Sequence, residues 1–186
     1  ENGWWGEWTY ANASGEIVND GWQSIRGDWY YFSDGVINQF PIIETEDYGA
    51  CTFTSDGRYT GIAKRSNWYY INEKWYYVKA DGSLARGKET INGHTYYFNG
   101  GFNSALLQNE YYSEYDDNSN KSVSVWVNSN GEKDMSNGWK YTGHTYYYVE
   151  NGAFKNGWLS YGGNWYYLEP GMARGIEFVE YNGECE

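Results

Sequence analysis

Ring-bearing side chains recur along this chain in short alternating bursts. In Gly27-Asp28-Trp29-Tyr30-Tyr31-Phe32 an extended strand would turn Trp29 and Tyr31 to one face and Tyr30 and Phe32 to the other. The burst returns as Glu73-Lys74-Trp75-Tyr76-Tyr77-Val78, Gly93-His94-Thr95-Tyr96-Tyr97-Phe98, Gly143-His144-Thr145-Tyr146-Tyr147-Tyr148 and Gly163-Asn164-Trp165-Tyr166-Tyr167-Leu168. Within a few residues each is followed by a turn dipeptide: Asp34-Gly35, Asp81-Gly82, Asn99-Gly100, Asn151-Gly152 or Pro170-Gly171. Ser14-Gly15, Asp56-Gly57 and Asn130-Gly131 fill the same slot. Asn-Gly and Asp-Gly are strong hairpin signals because both residues tolerate the positive φ of a type I′ turn. The pattern predicts β-hairpins throughout, with room for one short helix over 103–108. A unit of about 20 residues repeated in this way predicts an all-β solenoid of stacked hairpins rather than one globular core.

A second marker, Gly followed by a large residue, comes after the turn. It is intact as Gly21-Trp22, Gly138-Trp139 and Gly157-Trp158, and altered as Gln39-Phe40, Gly61-Ile62, Gly87-Lys88 and Gly175-Ile176. The chain thus reads as a single repeat domain over 1–186. Regular repeats occupy about 8–40, 67–102 and 126–176, with irregular insertions at about 41–61 and 103–125. The second insertion stretches the turn-to-turn spacing from about 20 to about 31 residues and carries Tyr111, Tyr112, Tyr115, Asp116 and Asp117. Insertions in solenoids tend to gather on one face and to shape binding sites.

Aromatics make up 22% of the 186 residues, with 11 Trp and 22 Tyr, while aliphatics are scarce. This composition predicts a core built from rings. The formal net charge of −12 argues against nucleic acid, whose phosphates need Lys and Arg, and against anionic lipid. No run approaches the roughly 18 apolar residues of a membrane span, so membrane insertion is not expected. Beginning at Glu1, the chain reads as part of a larger multidomain protein. Cys51 and Cys185 are too few for a disulfide framework, and their pairing is left open.

Gly-Trp, then Trp-Tyr-Tyr-Phe, then Asp-Gly resembles the cell-wall-binding or glucan-binding repeat family. That family includes choline-binding modules of bacterial surface proteins, glucan-binding regions of streptococcal glucosyltransferases and repeats of large clostridial toxins. The resemblance covers Gly21 to Phe40, Asn67 to Phe98 and Gly138 to Gly175, the last being the fullest match. It implies a β-hairpin solenoid that binds rather than catalyses, secreted or held at the surface of a Gram-positive bacterium. In choline-binding members, rings of neighbouring hairpins cage a quaternary ammonium. The matching positions are Trp139, Trp158 and Trp165 near one end and Trp22 and Trp29 near the other. Lys88 in the Gly-Trp slot would repel such a ligand, so a regular ladder of cages is not expected.

A pyranose offers apolar C–H faces to flat rings and a fringe of hydroxyls to polar side chains. The candidate aromatic platform is Trp139, Trp158, Trp165, Tyr146, Trp22, Trp29, Trp75, Tyr112 and Tyr115. His94 and His144 share a repeat slot with Asp28, Lys74 and Asn164, which marks a solvent-facing strand position rather than an acid–base pair. Asp116 and Asp117 lack the spacing of a Ca²⁺ loop, and no nucleophile-elbow motif occurs. No catalytic residue, metal or cofactor is therefore expected. The expected partner is a polysaccharide, with a neutral α-glucan such as starch or dextran first. A choline-substituted wall polymer such as teichoic acid comes second, and a structural spacer or protein-interaction stalk is the reading from a different class.

Overall fold

The computed structural model describes residues 3–5, 9–12, 14–101, 103–116 and 120–169. Trp8, Asp117, Pro170-Gly171, Gly175-Ile176 and any Cys51–Cys185 pairing lie outside the described residues. The strands are β1 (Gly3–Trp5), β2 (Thr9–Ala11), β3 (Gly21–Ile25), β4 (Asp28–Ser33), β5 (Val36–Ile37), β6 (Ile42–Thr45), β7 (Gly49–Phe53), β8 (Tyr59–Ile62), β9 (Asn67–Ile71), β10 (Lys74–Val78), β11 (Gly87–Ile91), β12 (His94–Phe98), β13 (Glu110–Asp116), β14 (Lys121–Val127), β15 (Gly138–Tyr141), β16 (Tyr146–Glu150), β17 (Ala153–Phe154), β18 (Gly157–Tyr161) and β19 (Asn164–Leu168). They form sheets of two or three strands in which only sequence neighbours pair.

The chain divides into two compact units, Glu1–Arg86 with Asn99–Ala105, and Gly87–Phe98 with Leu106–Glu186. Within each unit hairpin follows hairpin, which is the all-β hairpin solenoid that the repeats predict. Residues 41–61, read from the sequence as an insertion, carry β6 and β7 and most of β8, and residues 103–125 carry β13 and most of β14. Both lack the ring-rich signature yet pair as hairpins. The short helix over 103–108 is corrected: that stretch holds a turn and a bridge from Leu106 to Phe98. The Leu107 N–H donates to the Tyr97 carbonyl at 2.8 Å, so this backbone is already engaged along β12.

Two turns serve each repeat. Successive positive φ values at Arg26-Gly27 (54° and 95°) and Asn92-Gly93 (52° and 85°) close the long hairpins β3–β4 and β11–β12. Asp34-Gly35 and Asn151-Gly152 close the short returns into β5 and β17. These four turns have the type I′ signature, two successive residues at positive φ, whereas at Asp56-Gly57, Asp81-Gly82 and Asn130-Gly131 only the glycine has positive φ, which corrects the I′ expectation there. The Asx-Gly dipeptides thus mark the return strand, one turn later than the sequence pattern suggests.

The return turn is also the stacking element. Tyr30 bridges Arg58, the Ala50 N–H donates to the Gly82 carbonyl at 2.8 Å, and the Tyr97 N–H donates to the Gly131 carbonyl at 2.9 Å. Each contact seats the turn of one repeat on a strand of the repeat before it. Gly57 shows why the residue is glycine: φ is +81°, and an added methyl would lie 2.6 Å from Ile37 Cδ1 and 2.9 Å from the Asn38 carbonyl oxygen.

The core is mixed: buried rings, among them Phe32, Phe53, Tyr97, Phe98 and Trp126, share it with aliphatic and small side chains. Ile42, Ala50, Ala63, Val78, Leu84 and Ala105 pack with Tyr76 in one cluster. Ile25 and Ile37 pack with Tyr10 and Phe32 in another, and Val125 and Val127 with Tyr97 in a third. Few aliphatics suffice because rings share the interior with them, and further rings lie on the opposite face.

Candidate functional site

Strand alternation sorts the Tyr-Tyr pair. In β4 Tyr30 packs toward the core with Phe32, while Trp29 and Tyr31 share the other face. In β10 Tyr76 is buried and Trp75 and Tyr77 share the other face. Across each hairpin this second face holds two cross-strand pairs. They are Trp22 with Tyr31 and Ser24 with Trp29; Trp68 with Tyr77 and Tyr70 with Trp75; Trp139 with Tyr148 and Tyr141 with Tyr146; Trp158 with Tyr167 and Ser160 with Trp165. Directly opposite residues on one face lie close enough for rings to touch. The three intact Gly-Trp slots show one geometry. Trp22–Tyr31, Trp139–Tyr148 and Trp158–Tyr167 have centroids 5.2, 5.3 and 5.2 Å apart at 72°, 81° and 67°. Such edge-to-face pairs are the favoured arrangement of two quadrupoles.

The following hairpin completes the surroundings of two of these pairs. Around Trp22 stand Tyr48, Phe53 and Tyr59 at 5.7, 6.0 and 5.0 Å. Around Trp139 stand Tyr161 and Tyr166 at 6.1 and 5.3 Å, both near perpendicular. These indoles therefore join one repeat to the next. The Trp22 indole N–H is buried without a hydrogen-bond partner. Burial, and after it the carboxylates of Glu46, Asp47 and Asp20, push the Tyr31 phenol above its ordinary pKa.

The hairpin with Lys88 replaces the slot indole with an ion cluster. Lys88 lies opposite Tyr97, with its ammonium 5.9 Å from the ring centroid. Glu114 accepts from Lys88 Nζ at 2.8 Å, Lys133 Nζ at 2.7 Å and the Tyr97 hydroxyl at 3.1 Å. Burial acts to raise the Glu114 pKa, but the hydrogen bonds from Lys133 and Lys88 outweigh it and hold the carboxyl below its ordinary value. Burial and the adjoining Glu114 charge push the Tyr97 phenol far upward.

The nine sequence-selected residues lie on several different hairpins. Trp29, Trp158, Trp165, Tyr146 and Trp75 are exposed on hairpin faces, and Trp22 and Trp139 are half-buried between hairpins. Tyr112 packs against Tyr97, Val125 and Val127 in the core cluster. Tyr115 is exposed near the end of β13, hydrogen-bonded to Asn120. The residues missed are the ring partners Tyr31, Tyr48, Tyr59, Tyr148, Tyr161 and Tyr166, and Trp68, which fills the slot after Asn67 rather than after Gly. Cross-strand register, with the turns correctly placed at residues 26–27 and 142–145, would have picked out Tyr31 and Tyr148. Ile62 lies in β8 opposite Cys51, outside any ring-bearing pair.

Residues 20–35, 66–84, 89–101 and 156–170 match the family model described as "Putative cell wall binding repeat". The segment around Gly138-Trp139, the fullest match by inspection, falls outside the matched residues, whose last stretch begins at residue 156. A stretch of 96 residues, 50% of this chain, is 35% identical to Glucosyltransferase-S of Streptococcus mutans and corresponds to 6% of that protein. Among solved structures, choline binding protein F from Streptococcus pneumoniae is 25% identical, with a TM-score of 0.37, covering 87% of this chain and 53% of its own. An alternansucrase in complex with isomaltononaose is 19% identical, with a TM-score of 0.32, covering 91% of this chain and 16% of its own. The chain thus spans about half of one relative and a small fraction of the others.

Proposed function

We propose that these repeats form a non-catalytic module that binds a neutral α-glucan, such as starch or dextran, on exposed indole faces. The module would serve a protein secreted by, or held on the surface of, a Gram-positive bacterium. The observation carrying this reading is that Trp29 and Trp165, the second rings of two hairpins, are 50% and 54% exposed while their neighbours Phe32 and Leu159 are buried. A flat, half-bare indole matches the C–H face of a pyranose. Each stacking contact adds roughly 0.5–1.5 kcal/mol beyond area burial, and a few such contacts correspond to a Kd on the order of 10 µM to 1 mM. The likeness to part of a glucosyltransferase favours a glucosyl polymer. Electrophoresis through gels containing dextran or soluble starch tests this. The native chain is expected to be retarded, and Trp29→Ala combined with Trp165→Ala should restore free mobility. Unretarded migration in both polymers would remove the reading.

A second reading is a choline-type ligand at the Trp22 pair, favoured by the carboxylates of Asp20, Glu46 and Asp47 acting on Tyr31. It stands second because a caged ammonium sits within about 6 Å of each ring centroid. The rings here touch each other edge to face at 5.0–5.7 Å, which leaves little space between them. Calorimetry with choline chloride distinguishes the two: heat abolished by Trp22→Ala would favour the cation.

A further inference from the structure

Among the described residues three hairpins carry an indole at the second-ring position, and they differ in the residue directly across from it. Trp29 faces Ser24, Trp165 faces Ser160, and Trp75 faces Tyr70. The last two form a matched comparison, because each indole also has a second indole on its own hairpin at the same place. Trp165 stands 6.4 Å from Trp158 at 81°, and Trp75 stands 6.2 Å from Trp68 at 85°. What changes is the cross-strand partner. The Tyr70 ring leans over Trp75 with centroids 4.8 Å apart and only 39° between planes. Ser160 has no ring to lay on Trp165. Exposure follows: 54% for Trp165 and 50% for Trp29, against 37% for Trp75. In the hairpin β15–β16 the second-ring position holds Tyr146 instead of an indole, and Tyr141 meets it at 4.6 Å and 31° while both rings stay about half exposed.

We infer that the residue paired across the strand from the second ring decides whether a hairpin takes sugar: serine leaves an indole face for one pyranose, and tyrosine closes it. On this basis Trp29 with Ser24 and Trp165 with Ser160 are sugar subsites, and the Trp75 hairpin is a silent repeat. The physics is competition for one π face. A ring tilted over the indole with centroids 4.8 Å apart already covers part of the surface on which a C–H face would lie. A serine hydroxyl at the edge of the open face can instead donate to or accept from a sugar hydroxyl. The inference deepens the glucan reading and rests on it.

The test swaps the partners. Ser160→Tyr introduces the side chain that the fold already carries at Tyr70, so the hairpin can accommodate it. In dextran or starch gels, Ser24→Tyr and Ser160→Tyr are each expected to weaken retardation by roughly three- to tenfold, and Tyr70→Ser is expected to strengthen it. If Tyr70→Ser weakens retardation, Tyr70 is itself the sugar contact and the inference is overturned. Unchanged retardation in both serine variants of an otherwise retarded protein overturns it as well. A second readout needs no glucan. Indole oxidation by N-bromosuccinimide, followed peptide by peptide, is expected to consume Trp29 and Trp165 before Trp75, with Tyr70→Ser raising the Trp75 rate to theirs. Equal rates in the native protein would overturn the covering argument. Failure of the native chain to bind any neutral glucan, with the oxidation order as expected, would sink the glucan reading while leaving the covering role in place.

Discussion

At the scale of single residues, Glu114 shows how a repeat does without its indole. One largely buried carboxylate takes hydrogen bonds from two ammoniums and a phenol, all within the unit that contains Lys88. Hydrogen bonds to charged groups are worth about 1.5–3 kcal/mol, so Glu114→Gln is expected to destabilise by about 1–3 kcal/mol in urea or thermal unfolding. Lys88→Met should cost less, under about 1 kcal/mol, because Lys88 is half exposed. The pH dependence has a definite sign. The folded Glu114 pKa lies below its unfolded value of about 4.3. Its stabilisation is therefore complete above that value, fades as pH falls toward the folded pKa, and is absent below it. Melting temperatures of the native chain and Glu114→Gln should converge on acidification below pH about 4. Equal melting temperatures at neutral pH would contradict the account. That Lys88 stands in the ring slot was legible in the sequence; that Glu114 and Lys133 meet it there was not, because they come from later elements.

At the scale of elements, the return turn does two things at once. Its glycine supplies positive φ, and its missing side chain lets the turn sit against the preceding repeat. Gly131 has φ +82°, and a methyl there would meet Leu106 Cδ1 at 2.5 Å. Gly131→Ala is thus expected to lose more than the roughly 1 kcal/mol of a strained backbone alone, measured by urea denaturation. Gly27→Ala meets open space and should show the backbone cost only, despite a φ of +95°. Comparable losses in the two would argue against the seating role. The sequence marked these glycines as turns because Asn-Gly and Asp-Gly are local signals. It did not distinguish the turn that closes a hairpin from the turn that seats it, since both are I′-compatible and only the pairing register separates them.

For the molecule as a whole, the proposed function makes valency the main variable. One pyranose on one indole is a weak contact, whereas a polymer spanning several subsites converts later contacts into intramolecular ones. Dextran is expected to compete for binding at least a hundredfold better, per chain, than an isomaltose-length oligosaccharide, read by tryptophan fluorescence. A net charge of −12 opposes charged wall polymers of the same sign and is indifferent to a neutral one. Retardation in dextran should therefore change little between about 50 mM and about 500 mM salt. A steep loss with salt would point to a cationic ligand instead.

Period-two alternation and turn dipeptides are local properties, so the chain's covalent order settled that it would be hairpins, about how long each would be, and that its strands would carry rings on both faces. The same locality hid the rest. Whether a given ring is glue, core or open shelf depends on its cross-strand partner and on the hairpin that follows. Tyr112 and Trp165 look alike as exposed-strand aromatics, yet one packs into a core cluster and the other stands bare beside a serine. That difference arises from register and stacking, which fix which atoms compete for each ring face, and it exists only once the strands have paired.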